Sequence, residues 1–407
     1  MVVVWSCRAP DGSPLGDQRL GAKIRNGTEN KTMADDMPKR KQNPRSAQPI
    51  CVACVVGARP NFIKMAALVH ELRRRPRYRV RLIHTGQHFS PEMSQTFFRD
   101  LEMPEPDYNL GAAGGTQTEQ TAEIMRRLEP VLGEVRPDVV LVVGDVNSSL
   151  AAALVASKMG IPIAHVEAGL RSFDRNMPEE INRVVTDVLS SYLFATEPSG
   201  VRNLIAEGFS EDRMFLVGNV MIDTLLRFRE KALRTDVLER FGLKAGGYAV
   251  LTLHRPSNVD NPEKLRSLLR VLSELSLRIP VVFPVHPRTR QRMDALGMCD
   301  HHLRLLPPLG YLDFLRLIAE ARLVLTDSGG IQEETTILGV PCLTLRENTE
   351  RPATIETGTN LLAGTDPDRV LGLALRLLDA PTTLASVPDL WDGHAAGRIF
   401  DVLDRCV

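Results

Sequence analysis

From residue 50 onward, short apolar runs alternate with stretches in which apolar residues recur every three or four positions. The runs at 50–56 (ICVACVV), 80–86, 138–143, 161–166, 192–196 and 214–217 have the length of buried strands. The stretches between them, at 60–75, 116–135, 148–159, 179–189 and 198–207, carry the helical period, with Pro60 at a natural first-turn position. A second series follows a helix at 221–233 and a glycine-containing stretch at 234–247. Its strands are predicted at 248–253, 280–285, 323–326 and 342–345, and its helices at 262–278, 311–320 and 331–338. A last helix is predicted at 395–403. Apolar strands alternating with helices predict an α/β fold whose parallel sheets are covered on both faces. Two doubly wound units in tandem place a ligand in the cleft between them, beyond the carboxyl ends of the strands.

Residues 1–49 lack this pattern. They are polar and rich in Gly, Pro, Lys, Arg and Asn, and read as a disordered extension; the run Lys39-Arg-Lys reads as solvated tail. The chain has 407 residues, 43% hydrophobic and 25% charged, and fifty basic residues balance fifty acidic ones, so no bulk charge calls for nucleic acid or a membrane surface. No apolar run approaches the roughly 20 residues needed to cross a bilayer, and the opening VVVW is too short for a signal core. A cytoplasmic protein is expected. Cys51 and Cys54 form a C-x-x-C inside a strand, which sends their thiols to opposite faces and favours packing over redox or metal chemistry.

Candidate chemistry gathers where strands end. LTDSGGIQEE places Ser328, Gly329 and Gly330 between a strand and a helix, where unpaired N–H groups and the helix dipole suit phosphate. Glu333 and Glu334 follow within a turn. Arg59 and Lys64 follow the first strand, Asp145 the run VVLVV, and Glu167 the run ending at His165-Val166. Glu179 and Arg183 open the next helix. In the second series His254, His286, Arg346 and Arg351 stand just past strands. The first unit thus offers carboxylates and the second offers cations and helix-terminal amides. That division suits a diphosphate ligand whose reacting centre faces acids and bases.

The segments GARPNFIKMAALVHEL, GDVNSSLAAALVASKMGIPIAHVEAGLRS, PEEINRVVTD, LTLHRPSNVD, FPVHPRTR, LTDSGGIQEE and ERPATIETGTN occur in that order. Together they resemble the non-hydrolysing UDP-N-acetylglucosamine 2-epimerases, from about residue 50 to the C-terminus. The resemblance implies two Rossmann-like domains in the glycosyltransferase-B arrangement: 50–220, a UDP-binding 221–387, and a crossover helix in 388–407 that packs on the first domain. It implies interconversion of UDP-N-acetylglucosamine and UDP-N-acetylmannosamine for cell-surface polysaccharide synthesis, with no metal or other cofactor, in a homodimer. UDP is eliminated to give 2-acetamidoglucal and then re-added.

By the same match Asp145, Glu167, Glu179 and His254 are catalytic, and base and acid stay undivided among the three carboxylates. Arg59, Lys64, Arg183, His286, Ser328, Gly329, Gly330, Glu334 and Arg351 bind UDP-N-acetylglucosamine and UDP. The segment GQHFSPEMSQTFF departs from the glutamine-rich pattern by which some bacterial members hold an activating second substrate molecule, which argues against that activation here. LHRPSNVD departs from the stretch of some members by Pro256. The alternatives are a relative that hydrolyses the intermediate to free N-acetylmannosamine, a glycosyltransferase on the same fold, and a catalytically silent nucleotide-sugar sensor. A nicotinamide dehydrogenase is disfavoured because no G-x-G-x-x-G follows the first strand.

Overall fold

The computed structural model describes residues 48–87, 91–297, 302–357, 359–380 and 386–407, with side chains omitted at 91–95. The reading of residues 1–49 as an extension therefore lies almost wholly outside the described residues. The strands of the first series are β1 (Ile50–Val56), β2 (Tyr78–His84), β3 (Tyr108–Asn109), β4 (Val139–Val143), β5 (Ile163–Val166), β6 (Tyr192–Ala195) and β7 (Met214–Leu216). They form one parallel sheet in the order β3-β2-β1-β4-β5-β6-β7. The second series gives β8 (Ala249–Thr252), β9 (Val281–Pro284), β10 (Arg304–Leu306), β11 (Leu323–Thr326), β12 (Cys342–Thr344) and β13 (Asn360–Leu362). These form a second parallel sheet in the order β10-β9-β8-β11-β12-β13. Each order reverses once, between β1 and β4 and between β8 and β11. Such reversals open the crevice in which doubly wound sheets bind ligands.

The expected alternation is present, and its central strands are buried throughout: every residue of β4, β5 and β11 is inaccessible to solvent or nearly so. Short edge strands such as β3, β10 and β13 have two or three residues, too few for a readable period. The Gly329–Leu338 helix begins two residues before the predicted start, because Gly329 and Gly330 are themselves helical.

One apolar cluster joins the halves. It runs from Phe62 and Leu68 through Leu225 and Phe228 of the Val220–Ala232 helix to Leu315 and Val324. The chain passes between the halves twice, and the two passages touch. Gly218 has φ +89°, and a Cβ there would lie 2.0 Å from the Leu390 carbonyl oxygen, so only glycine fits. Arg398 donates to the carbonyls of both Val217 (3.1 Å) and Leu390 (3.3 Å). The final helix, Ala395–Cys406, packs on the first half: Asp404 pairs with Arg75 at 2.9 Å and accepts from the Tyr78 hydroxyl at 2.8 Å.

Candidate active site

Glu167 is the first residue beyond β5, and its backbone takes a left-handed conformation, φ +73°. Such a conformation in a non-glycine residue persists only when its surroundings hold it. Here the N–H groups of Glu167 and Ala168 both donate to the Phe194 carbonyl, at 3.0 and 3.1 Å. The turn drives the carboxylate inward, where it is 3% exposed. Lys64, buried on the Arg59–Arg74 helix, pairs with one oxygen. Arg351, from the other half, reaches the second at 3.3 Å. Gly144, at the end of β4, leaves room for this carboxylate: a Cβ there would lie 2.8 Å from Glu167 Oε2. Arg171, four residues on, serves Asp187 and Glu207, each at 2.7 Å, and not Glu167.

Asp145 follows Gly144 and pairs with Arg183, which also binds Glu180. Burial opposes ionisation of Asp145, but Arg183, Lys64 and Arg351 outweigh it and hold the carboxyl below the ordinary Asp range. Asn182 fixes the turn by donating to the Asp145 carbonyl at 2.9 Å. Adjacent Glu179 and Glu180 diverge. Glu180 is buried and accepts from Ser172 N and Oγ and from Phe173 N. Glu179 remains 39% exposed and lies 3.9 Å from Arg255 of the second half.

In the second half His254 follows β8 and Asp327 follows β11, so the reversal of the sheet brings them together. The His254 Nδ1 lies 2.8 Å from Asp327 Oδ1, with the ring 42% exposed and the carboxylate fully buried. Burial opposes the charge on Asp327, but His254 and the N–H groups of His254 and Arg255 hold its carboxyl below the ordinary range. Asn258 donates to Asp327 at 3.2 Å. Asp327 fixes the Nδ1 side of the imidazole and leaves Nε2 directed away.

Ser328 caps the Gly329–Leu338 helix through its backbone, with no side-chain capping bond. Gly329 lies against Arg351, whose guanidinium carbon would stand 3.0 Å from a Cβ, and Gly330 faces the methyl end of Met221. Neither glutamate on this helix is solvated: Glu333 is fully buried and Glu334 is 4% exposed. Burial, followed by the charge of Glu333, pushes Glu334 up to about 8, beside the Tyr311 hydroxyl. Arg59 crosses to the second half, its guanidinium 4.7 Å above the Phe97 ring and donating to the Leu309 carbonyl at 3.4 Å. His286 is exposed and caps the Pro287–Ala295 helix, accepting from Arg288 N at 3.3 Å.

Ion pairs that span the two halves run from Lys64 through Glu167 and Arg351 to Glu350, Arg255 and Glu179, with the Asp145–Arg183 pair beside them. The sequence reading gave no role to three partners. Glu350 takes Arg351 at 2.7 Å, Arg346 at 2.8 Å and Arg255 at 3.5 Å. Asp327 orients His254, and Glu197 lies buried past β6. Asp327 and Glu197 each stand within two residues of a strand end, so the strand-end criterion reaches them once it is applied to every strand.

A family model described as UDP-N-acetylglucosamine 2-epimerase matches residues 70–404. The UDP-N-acetylglucosamine 2-epimerase of Methanocaldococcus jannaschii is 44% identical over 331 residues, covering 79% of this chain and 90% of the relative. The UDP-2,3-diacetamido-2,3-dideoxy-D-glucuronate 2-epimerase of Pseudomonas aeruginosa is 40% identical over 359 residues, covering 87% of this chain and 99% of the relative. A crystal structure of the Methanocaldococcus jannaschii UDP-GlcNAc 2-epimerase in complex with UDP-GlcNAc and UDP superposes with a TM-score of 0.83 at 42% identity. It covers 87% of this chain and 99% of that one.

Proposed function

The chain belongs to the UDP-N-acetylglucosamine 2-epimerase family and is an isomerase of glycosyltransferase-B architecture; on that premise we propose that it interconverts UDP-N-acetylglucosamine and UDP-N-acetylmannosamine by elimination and re-addition of UDP. The observation that carries this reading is Glu167, a buried carboxylate in a left-handed turn, held by Lys64 of its own half and Arg351 of the other. Removing the weakly acidic proton on carbon 2 needs a carboxylate fixed in place and shielded from water. A second acid must serve the opposite face, and Asp145 and Glu179 supply the remaining carboxyls.

As the carbon-2 proton leaves, the bond from carbon 1 to the diphosphate oxygen breaks, giving 2-acetamidoglucal and UDP. The diphosphate gains charge and is retained by His254, Arg59 and the amides at Ser328–Gly330. UDP then re-adds to carbon 1, and carbon 2 takes its proton from the other face. Lys64, Arg183, His286, Glu334 and Arg351 complete the binding surface in this assignment.

We assign the residues to domains 50–220 and 221–387, with 388–407 returning to the first, and place the enzyme in the cytoplasm, supplying cell-surface polysaccharide synthesis. No helix among the described residues is long and apolar enough to cross a membrane. A homodimer is supported by the Pro178–Leu189 helix, which turns Glu180, Arg183, Thr186 and Asp187 inward while Ile181 and Val188 are 50% and 60% exposed. An apolar stripe at that spacing calls for a covering surface.

Incubation with UDP-N-acetylglucosamine in deuterated water tests the reaction. The expected product is the manno epimer carrying deuterium at carbon 2, seen by NMR; product without label would exclude elimination and re-addition. The Pseudomonas aeruginosa relative makes the diacetamido glucuronate the natural second substrate to assay.

A further inference from the structure

Arg351 joins carboxylates of both halves, Glu167 of the first and Glu350 of the second, and two further carboxyls set its position. Its Nε lies 3.0 Å from Glu333 Oε1 on the Gly329–Leu338 helix. The other Glu333 oxygen is buried and makes no hydrogen bond, although the Asn219 amide approaches it. Glu197, 1% exposed, closes the segment after β6 and faces the Ala353 N–H, two residues beyond Arg351. Ser199 donates to one Glu197 oxygen, and the other is again buried without a hydrogen bond. Glu333 and Arg351 both face Glu197, while Arg351, Glu167, Lys64 and Glu334 face Glu333. Two buried carboxyls, each with an unpartnered oxygen, thus flank the segment that carries the arginine.

We propose that Glu333 and Glu197 are positioning residues of the epimerisation, fixing Arg351 against Glu167 from the two sides of the domain junction. This rests on the functional reading above. Buried like charges do not both ionise without paired cations, and Arg351 already serves Glu167, Glu333 and Glu350. Burial pushes Glu197 up to about 7, and burial also raises Glu333. While Glu197 holds its proton, the guanidinium stays on Glu333 and Glu167. Once Glu197 ionises, a further anion competes for Arg351, the hold on Glu167 weakens, and turnover falls as pH rises through neutrality.

The test is steady-state epimerisation of UDP-N-acetylglucosamine by the full chain across neutral pH, for wild type, Glu197→Gln, Glu333→Gln and Glu333→Asp, with melting temperatures alongside. Wild-type kcat should fall on the alkaline side of neutrality, and Glu197→Gln should move that limb upward. Glu333→Gln should lose about 10- to 100-fold in kcat, the size of a lost charged hydrogen bond, with KM little changed. Glu333→Asp, which keeps the charge, should recover part of it. A Glu197→Gln profile superimposed on wild type, or a folded Glu333→Gln with wild-type kcat, overturns the proposal. If Glu333→Gln does not fold, the Glu197→Gln profile alone decides. A wild type that does not epimerise removes the functional reading and this inference together, whereas an active wild type with unaffected variants removes only the inference.

Discussion

Each half of the molecule contains a histidine paired with an aspartate near the ends of its central strands, yet the two pairs are built for different tasks. In the first half His165 and Asp187 meet at 2.6 Å with neither side chain exposed. The other ring nitrogen lies 3.1 Å from the Gly144 carbonyl, and Asp187 also holds Arg171 and the Gly169 N–H. Every polar atom of that ring is spent inside the protein. In the second half Asp327 is equally buried, but it holds only one edge of His254 and leaves a ring that is 42% exposed. The same residue pair is a brace where both nitrogens are committed and a poised group where one is left over. The difference lies in where each histidine sits relative to the sheet: His165 is inside β5, whereas His254 stands beyond β8.

The comparison breaks most forcefully at Asp187. Asp187→Asn leaves Arg171 short of its buried partner and should cost about 3–5 kcal/mol of stability. The fraction that remains folded should keep near-wild-type kcat, measured by denaturant unfolding alongside turnover. A large loss of kcat in well-folded Asp187→Asn would make the first pair a functional one too. His254→Ala should do the reverse, lowering kcat by about 100- to 1,000-fold with little change in melting temperature. A stability loss as large as that of Asp187→Asn would reassign His254 to the fold.

Asp327→Asn tests whether the carboxylate orients the ring. It should cost about 10- to 100-fold in turnover, as removal of a carboxylate that orients a functional histidine does elsewhere, while UDP binding by calorimetry changes less than in His254→Ala. Equal UDP affinity losses in the two variants would argue against an orienting role.

Acid stability sharpens the contrast further. Burial opposes ionisation of Asp187, but His165 and Arg171 hold its folded pKa below the ordinary value, which is about 3.9 for Asp. Its contribution is therefore present above about pH 4 and is lost as pH falls through the lower folded value. Asp187→Asn should lose less stability than wild type on acidification below about pH 4, and matching slopes would show that this carboxylate does not drive acid unfolding. The mildest expected effect is at the uncovered stripe. On the proposed homodimer, Val188→Asp should leave the monomer fold intact and shift the species seen by light scattering from dimer to monomer; a monomeric wild type, or a mass the substitution leaves unchanged, would count against this stripe as a dimer contact.

The sequence by itself determined the alternation of strands and helices, the doubly wound class and the list of polar residues at strand ends. Those features are local, set by the period of apolar side chains and by which residues tolerate a turn. It also placed Asp145, Glu167, His254 and the Ser328–Gly330 turn where they stand, because each follows a readable strand. Only the tertiary structure decided the partners. Arg171 and Arg351 look equivalent along the chain, yet one braces Asp187 and the other reaches 184 residues back to Glu167. Glu179 and Glu180 are neighbours, and helix rotation alone sends one to the opposite half and the other into a buried cap. The burial of Glu197 and Glu333 was equally hidden, since a glutamate reads as solvated until a second domain closes over it. Charge pairing depends on distances across the junction and on the exclusion of water there, and neither quantity is encoded in a local period.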